Sequence, residues 1–261
     1  MTVAQPAVRS ETVATASPPL IAPHRLALFL DLDGTLAPIM PRPDDVGPDP
    51  RRARLLARLI AVLDGRLAVV SGRSLPDLDH ILGGGVRAIA AVHGLVRRTA
   101  DGQLVDREPH PGLEEARRIL GELADCERGL LFEDKGLSIA LHYRNAPACA
   151  EAVNEAAERL SQATGLVLQQ GDMVAELRTP GADKGAAVRA FLRETPFTNA
   201  TPIFVGDDLT DEDGFTAADR LGGFGVLVGP ARPTAARYRL SDHEAVFRWL
   251  EGLRIPMEAS A

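Results

Sequence analysis

With 261 residues, 45% of them apolar and 25% charged, the chain can bury a full core and has the balance of an ordinary globular protein, which excludes a fibre or a disordered chain. Its formal charge of −7 speaks against nucleic-acid binding, which needs a clustered basic face, and points to a small-molecule partner. Cys126 and Cys149 are the two cysteines, with neither CxxC spacing nor a neighbouring His pair, so zinc and disulfide frameworks lack support; a reducing, cytoplasmic setting and no membrane partner are expected, since no apolar run approaches the roughly 20 residues of a span.

Residues 1–24, rich in Ala, Pro, Ser and Thr and interrupted by Arg9 and Glu11, read as a disordered tail with no signal-type apolar segment. Residues 25–30 form an apolar run closed by Asp31, the pattern of a strand buried on both faces and ending in a functional loop. Asp49 and Pro50 supply an N-cap and a first-turn proline, and Leu55, Leu56, Leu59, Ile60 and Leu63 then recur at helical spacing. The arginines of that helix, Arg51, Arg52, Arg54 and Arg58, read as its solvated face. Further buried strands are expected at 66–70, ending in Ser71-Gly72-Arg73, and at 88–92, ending in His93-Gly94. Strand and helix alternate, as in a parallel sheet.

The rhythm changes after the hairpin signal Asp101-Gly102 and the prolines at 109 and 111, so an insert is expected over 108–180. Two amphipathic helices, around 113–123 and 152–160, alternate with strand-like runs at 130–132, 137–143, 166–169 and 173–177. Together they predict a small antiparallel sheet backed by helices. The parallel rhythm resumes at Lys184 with a helix, a strand at 203–205, Gly206-Asp207-Asp208, a helix, a strand at 224–228 and a capping box at Ser241–Glu244. The predicted architecture is therefore α/β, with a split parallel-sheet core at 25–107 and 181–255 and an α/β cap between.

The chemistry centres on Asp31-Leu-Asp33-Gly34-Thr35, two carboxylates two residues apart where an open α/β sheet has its ligand crevice. An Asp-Gly turn alone does not call for two acids. Phosphoryl transfer needs a nucleophile, an acid for the leaving oxygen and cationic compensation, and the chain offers candidates for all three. Asp207, Asp208 and Asp211 supply hard oxygens suited to magnesium, and a capping role does not explain Asp207 and Asp208 at a strand end.

In order along the chain, Asp31-x-Asp33-Gly34-Thr35, Ser71, Lys184 and Gly206-Asp207-Asp208-x-x-Asp211 resemble the four motifs of the haloacid-dehalogenase-like (HAD) phosphatases, which have a Rossmannoid core. The resemblance implies that Asp31 is the nucleophile and becomes an aspartyl phosphate. It makes Asp33 the acid and then the base, with Ser71 and Lys184 holding the phosphoryl oxygens. It also implies Mg2+ bound by Asp31, the backbone carbonyl of Asp33 and Asp207, with Asp208 and Asp211 as further candidates that act through water or by orienting Lys184.

Glu133-Asp-Lys135-Gly136, Leu141-His142-Tyr143-Arg144, Glu176-Leu-Arg178 and Gly181-Ala-Asp-Lys184 look like the trehalose-6-phosphate phosphatase pattern, and the match runs from about 28 to 250. That resemblance implies a sugar-phosphate substrate, with Glu133, Lys135 and Glu176 on sugar hydroxyls and Arg73, His93 and Arg144 at the join between cap and core. His142, between Leu141 and Tyr143, is expected to point away from the site. Thr179 stands where the family has a proline, here delayed to Pro180. The competing readings are the same chemistry on another sugar phosphate such as sucrose 6-phosphate, a sugar phosphotransferase, and a silent sugar-phosphate sensor.

Overall fold

A computed structural model describes residues 12–14, 16–20, 25–171 and 173–253. The larger of its sheets contains β2 (Leu26–Leu30), β3 (Leu67–Val70), β4 (Ala88–Ala91), β5 (Val96–Arg98), β6 (Leu104–Asp106), β11 (Thr201–Gly206), β12 (Phe224–Val228) and β14 (Tyr238–Leu240). Their order is β14-β12-β11-β2-β3-β4-β5-β6, parallel from β14 to β4 and antiparallel beyond. This is the α/β, mainly parallel architecture expected.

Because parallel strands are covered on both faces, alternate residues enter two separate cores. Leu26, Leu28 and Leu30 of β2 pack with α1 (Pro50–Val62), α2 (Leu75–Leu82) and α7 (His243–Gly252). Ala27 and Phe29 face α5 (Lys184–Phe191) and α6 (Glu212–Arg220). The strand order reverses at β2, which lies between β11 and β3, so a crevice opens at their carboxyl ends.

The second sheet holds β7 (Leu131–Asp134), β8 (Ser138–His142), β9 (Val167–Gly171) and β10 (Val174–Arg178) in the antiparallel order β7-β8-β10-β9. One face packs on α3 (Gly112–Cys126) and α4 (Ala150–Thr164) through a core of its own that includes Leu113, Leu120, Ile139, Leu141, Val153, Leu160 and Leu177. The chain enters this layer over 107–111 and leaves it over 179–183. These two connections lie side by side, since His110 N–H donates to Thr179 Oγ1 at 3.2 Å and Gly181 approaches the Arg107 guanidinium. Thr179, where the family pattern has proline, thus supplies a hydroxyl that joins them.

Several expectations are corrected. The tail is ordered over part of its length: β1 (Thr12–Val13) pairs with β13 (Pro233–Thr234), Arg239 N–H donates to Ala16 O at 2.9 Å, and the Trp249 indole donates to Pro19 O at 3.1 Å. Backbone pairing needs no apolar run, which is why composition did not reveal it. The rest of the expected tail, and the expected core end at 255, fall outside the described residues. β5, β6 and β14 carry too little apolar patterning to read as strands, and β6 is exposed throughout. The last helix is capped by Asp242, one residue after the expected Ser, with its carboxylate accepting from Ala245 N–H at 2.8 Å.

Asp49 caps α1 as expected, accepting from Arg51 N–H and Arg52 N–H. The arginines behind it are not simply a solvated face. Arg52 is buried and donates to Gly47 O at 2.5 Å and Ile81 O at 3.0 Å, while Arg58 donates to the last-turn carbonyls Leu250 O and Leu253 O of α7. A guanidinium spends its five donors well on such carbonyls. Arg52→Ala should destabilise the protein by about 2–4 kcal/mol, the order expected for losing two charge-assisted bonds and buried packing, as read from urea unfolding midpoints.

Candidate functional site

A cleft of about 270 Å³ lies between the carboxyl ends of β2, β3 and β11 and the open face of the antiparallel sheet. It is lined by Asp31, Asp33, Ser71, Arg73, His93, Glu133, Lys135, Arg144, Glu176, Lys184, Asp207 and Asp208. Of the residues nominated from the sequence only Asp211 does not line it, being fully buried behind.

The core half is built around Lys184, the first residue of α5, whose ammonium lies 3.1 Å from Asp31 Oδ1 and donates to Asp211 Oδ1 at 2.7 Å. Burial disfavours that ammonium, but Asp211 and Asp31 outweigh it and hold its pKa above the usual lysine range. Burial is the main influence on Asp31 and pushes its carboxyl well up; Lys184 opposes this, and Asp211, Asp207 and Asp33 add to it. Asp207 is pushed up to about 7 by burial and by the Asp211 carboxylate.

Carboxylates of Asp31, Asp207 and Asp211 each bring an oxygen within 4.8 Å of the others. Asp211 is already committed, since its second oxygen accepts from Asp208 N–H at 2.9 Å. Among the described residues, the buried Asp207 Oδ1 has no partner. An unmatched carboxylate oxygen inside an excess of negative charge suits a hard divalent cation, so this donor set fits one.

Two glycines make the crowding possible. A Cβ on Gly34, whose φ is +75°, would lie 2.1 Å from Asp207 Oδ2, and one on Gly206 would lie 2.2 Å from Cγ of Asp211. Arg232, which the sequence reading missed, donates to Asp207 O at 3.3 Å and Asp208 O at 2.9 Å and fixes the acidic loop. No local motif surrounds it, so only the fold reveals it. Asp33 is gripped in two-point fashion by Arg73, at 2.7 and 2.8 Å. Ser71 is buried at the end of β3, and its Oγ accepts from Arg73 N–H at 3.3 Å.

The antiparallel sheet supplies the other half through strand parity. Its register sets Glu133, Ala140, Glu176 and Gln169 in one row, and Leu131, His142, Val174 and Gly171 in the next. Glu176 lies 3.1 Å from Lys135 Nζ and 3.5 Å from Nε2 of His93, which comes from the core layer. Burial alone would raise Glu176, yet Lys135 holds it far below the usual carboxylate range. His93 adds to this by charge and by hydrogen bond, while burial lowers its own pKa. Gln169 Nε2, another residue missed by the sequence reading, lies 3.3 Å from the same His93 nitrogen.

His142 does not point away. Leu141 and Tyr143 face the helices, so His142 faces the cleft, with Nε2 3.0 Å from Glu133 Oε2. Arg144, two residues on and already nominated, shares its parity and was the available signal.

Comparison with known proteins agrees with this geometry. The profile of a family described as trehalose-phosphatase matches residues 29–244. A trehalose-6-phosphate phosphatase of Escherichia coli (strain K12) is 39% identical over 91% of this chain and 89% of its own length. A solved trehalose-6-phosphate phosphatase related protein superposes with a TM-score of 0.74 at 26% identity, over 87% of this chain and 95% of the other. A haloacid dehalogenase-like hydrolase from Bacteroides thetaiotaomicron shares the fold, with a TM-score of 0.64 at 18% identity, over 87% and 98% of the two chains.

Gly34→Ala should lower phosphate-ester hydrolysis at least a hundredfold by displacing Asp207, beyond the roughly 1–2 kcal/mol of left-handed backbone strain. Steady-state kinetics beside a thermal melt check this, and near-normal turnover would show that Asp207 can move without consequence.

Proposed function

The chain belongs to the trehalose-phosphatase family, and on that footing we propose that it hydrolyses trehalose 6-phosphate to trehalose and inorganic phosphate. It is a phosphoric monoester hydrolase with the HAD-like fold. The observation that carries the reading is the meeting of two unlike halves in one cleft. Asp31, against Lys184, offers phosphoryl chemistry, and Glu133, Lys135 and the buried Glu176 opposite offer fixed partners for sugar hydroxyls.

In the proposed reaction an Asp31 carboxylate oxygen attacks phosphorus and the bond from phosphorus to the sugar oxygen breaks. Asp33 gives its proton to that oxygen, which leaves as a hydroxyl. Asp33, now a carboxylate, takes a proton from water as the water attacks the aspartyl phosphate, and cleavage of the acyl phosphate regenerates Asp31. Lys184 and the Ser71 hydroxyl meet the equatorial oxygens where charge accumulates. Arg73 is bidentate on Asp33, and a phosphoryl group offers that guanidinium the same two-point contact, which frees Asp33 to carry its proton.

The unpartnered Asp207 oxygen and the hard donor set support Mg2+ as the cation. When bound, the ion offsets the charge of the carboxylates and the phosphoryl group. Asp31 and Asp207 would hold it, with the backbone carbonyl of Asp33 completing the protein ligands. Asp211 would act indirectly, by fixing Lys184 and the Asp208 loop. His93 and Arg144 would line the join between the halves. We divide the chain into a core of 25–107 and 181–255 and a cap of 108–180, with the paired connections as hinges whose closure excludes water.

Phosphate release should be fastest with trehalose 6-phosphate when sucrose 6-phosphate and glucose 6-phosphate are offered beside it, and a preference for another sugar would move the substrate assignment. Asp31→Asn should lose at least a thousandfold in turnover on every phosphate ester while melting as the parent does; retained turnover would remove the nucleophile. Activity should also vanish with a chelator and return with Mg2+, and turnover that persists after thorough metal removal would exclude the cation.

A further inference from the structure

We propose that His142 is a positioning residue for substrate specificity, holding the Glu133 carboxylate in the orientation that receives sugar hydroxyls. The inference rests on the sugar-phosphate reading above and deepens it. On β8, Ile139 and Leu141 are buried against the helices, and Tyr143 beyond the strand end packs with them. His142 is therefore turned over the cleft, its side chain 21% exposed, on the row next to Glu133.

Among the described residues, the short side-chain contact of Glu133 is to His142 Nε2 at 3.0 Å. A carboxylate at that distance only accepts, so the proton of the ring sits on Nε2. Lys135 lies 3.7 Å from Glu133, beyond hydrogen-bond reach, and is committed to Glu176 at 3.1 Å. Burial would raise Glu133, but its pKa lies below the usual value, first through the His142 bond and then through Lys135.

The two cap acids are thus fixed differently. Glu176 is buried and held by a buried ammonium, whereas Glu133 is partly exposed and depends on an imidazole. Both contacts fall on Oε2, so among the described residues Oε1 is left for a substrate hydroxyl while Oε2 fixes the carboxylate. Without His142 the side chain regains rotamers toward water and Lys135, and the ordering cost falls on substrate binding. Asp31 and Lys184 belong to the other layer, so the loss should appear in recognition before it appears in chemistry.

The test measures kcat and KM for trehalose 6-phosphate and for p-nitrophenyl phosphate, which carries no sugar hydroxyls, on the parent, His142→Ala and His142→Gln. The readout is the ratio of kcat/KM for the two substrates, which a reduced fraction of folded enzyme does not change. His142→Ala should lower that ratio at least tenfold, through KM for the sugar phosphate. His142→Gln, which keeps an N–H donor, should recover it to within threefold of the parent. A ratio within twofold of the parent in His142→Ala, an equal loss on both substrates, or no recovery in His142→Gln would overturn the proposal. A parent enzyme that does not favour the sugar phosphate would sink the substrate reading, and this proposal with it; that failure is read on unmutated protein and is distinct from the others.

Discussion

A buried ammonium between two buried carboxylates is the interaction on which the rest of the site depends. Lys184 joins the end of β2, through Asp31, to the loop after β11, through Asp211. Removing the ammonium would leave both carboxylates uncompensated, at a cost of about 3–5 kcal/mol, whereas losing Asp31 leaves Lys184 its partner Asp211. Asp211 in turn accepts from Asp208 N–H, and Arg232 grips the carbonyls of Asp207 and Asp208. The acidic loop is therefore held from beneath and from the side, while Asp207 keeps a buried oxygen with no partner among the described residues.

The opposite half of the cleft follows from different physics. Strand parity, not loop geometry, decides what faces the cavity: in each strand one set of side chains enters the helix-backed core and the other set is free for chemistry. Basic and acidic side chains alternate along the polar set, from His142 through Glu133, Lys135 and Glu176 to His93, which belongs to the main sheet layer. His93 reaches Glu176 because both it and Val92 adopt positive φ and Gly72 leaves room for the ring. The two layers touch here through an imidazole and a carboxylate 3.5 Å apart.

Much of this was legible in the sequence where local chemistry and strand ends coincide. Asp31, Asp33, Ser71, Lys184 and Asp207 each follow or adjoin an apolar run, and the helix cap at Asp49 was plain from Asp-Pro. What was missed depends on long-range pairing. Gln169 faces the cleft because Glu176 is its cross-strand partner, and no local signal carries that register. Arg232 acts on carbonyls 24 and 25 residues back. The segment at 16–20 binds through backbone and one indole, which composition cannot show. For His142 the alternation rule and the neighbours were right but the faces were taken the wrong way round: Leu141 and Tyr143 enter the helix-backed core and leave the imidazole over the cleft.

The two chain crossings between the layers have a mechanical consequence. A single crossing would let the smaller layer twist and tumble as well as swing, but two crossings held abreast through His110 and Thr179 would act, as the proposed hinges, like a pair of pivots on one axle. Rocking about the line through both remains cheap, while twisting shears that bond. On the proposed closure, the path by which the carboxylates of the smaller layer approach Asp31 would be narrowed towards a single arc, with the alignment of its endpoints set by the paired connections.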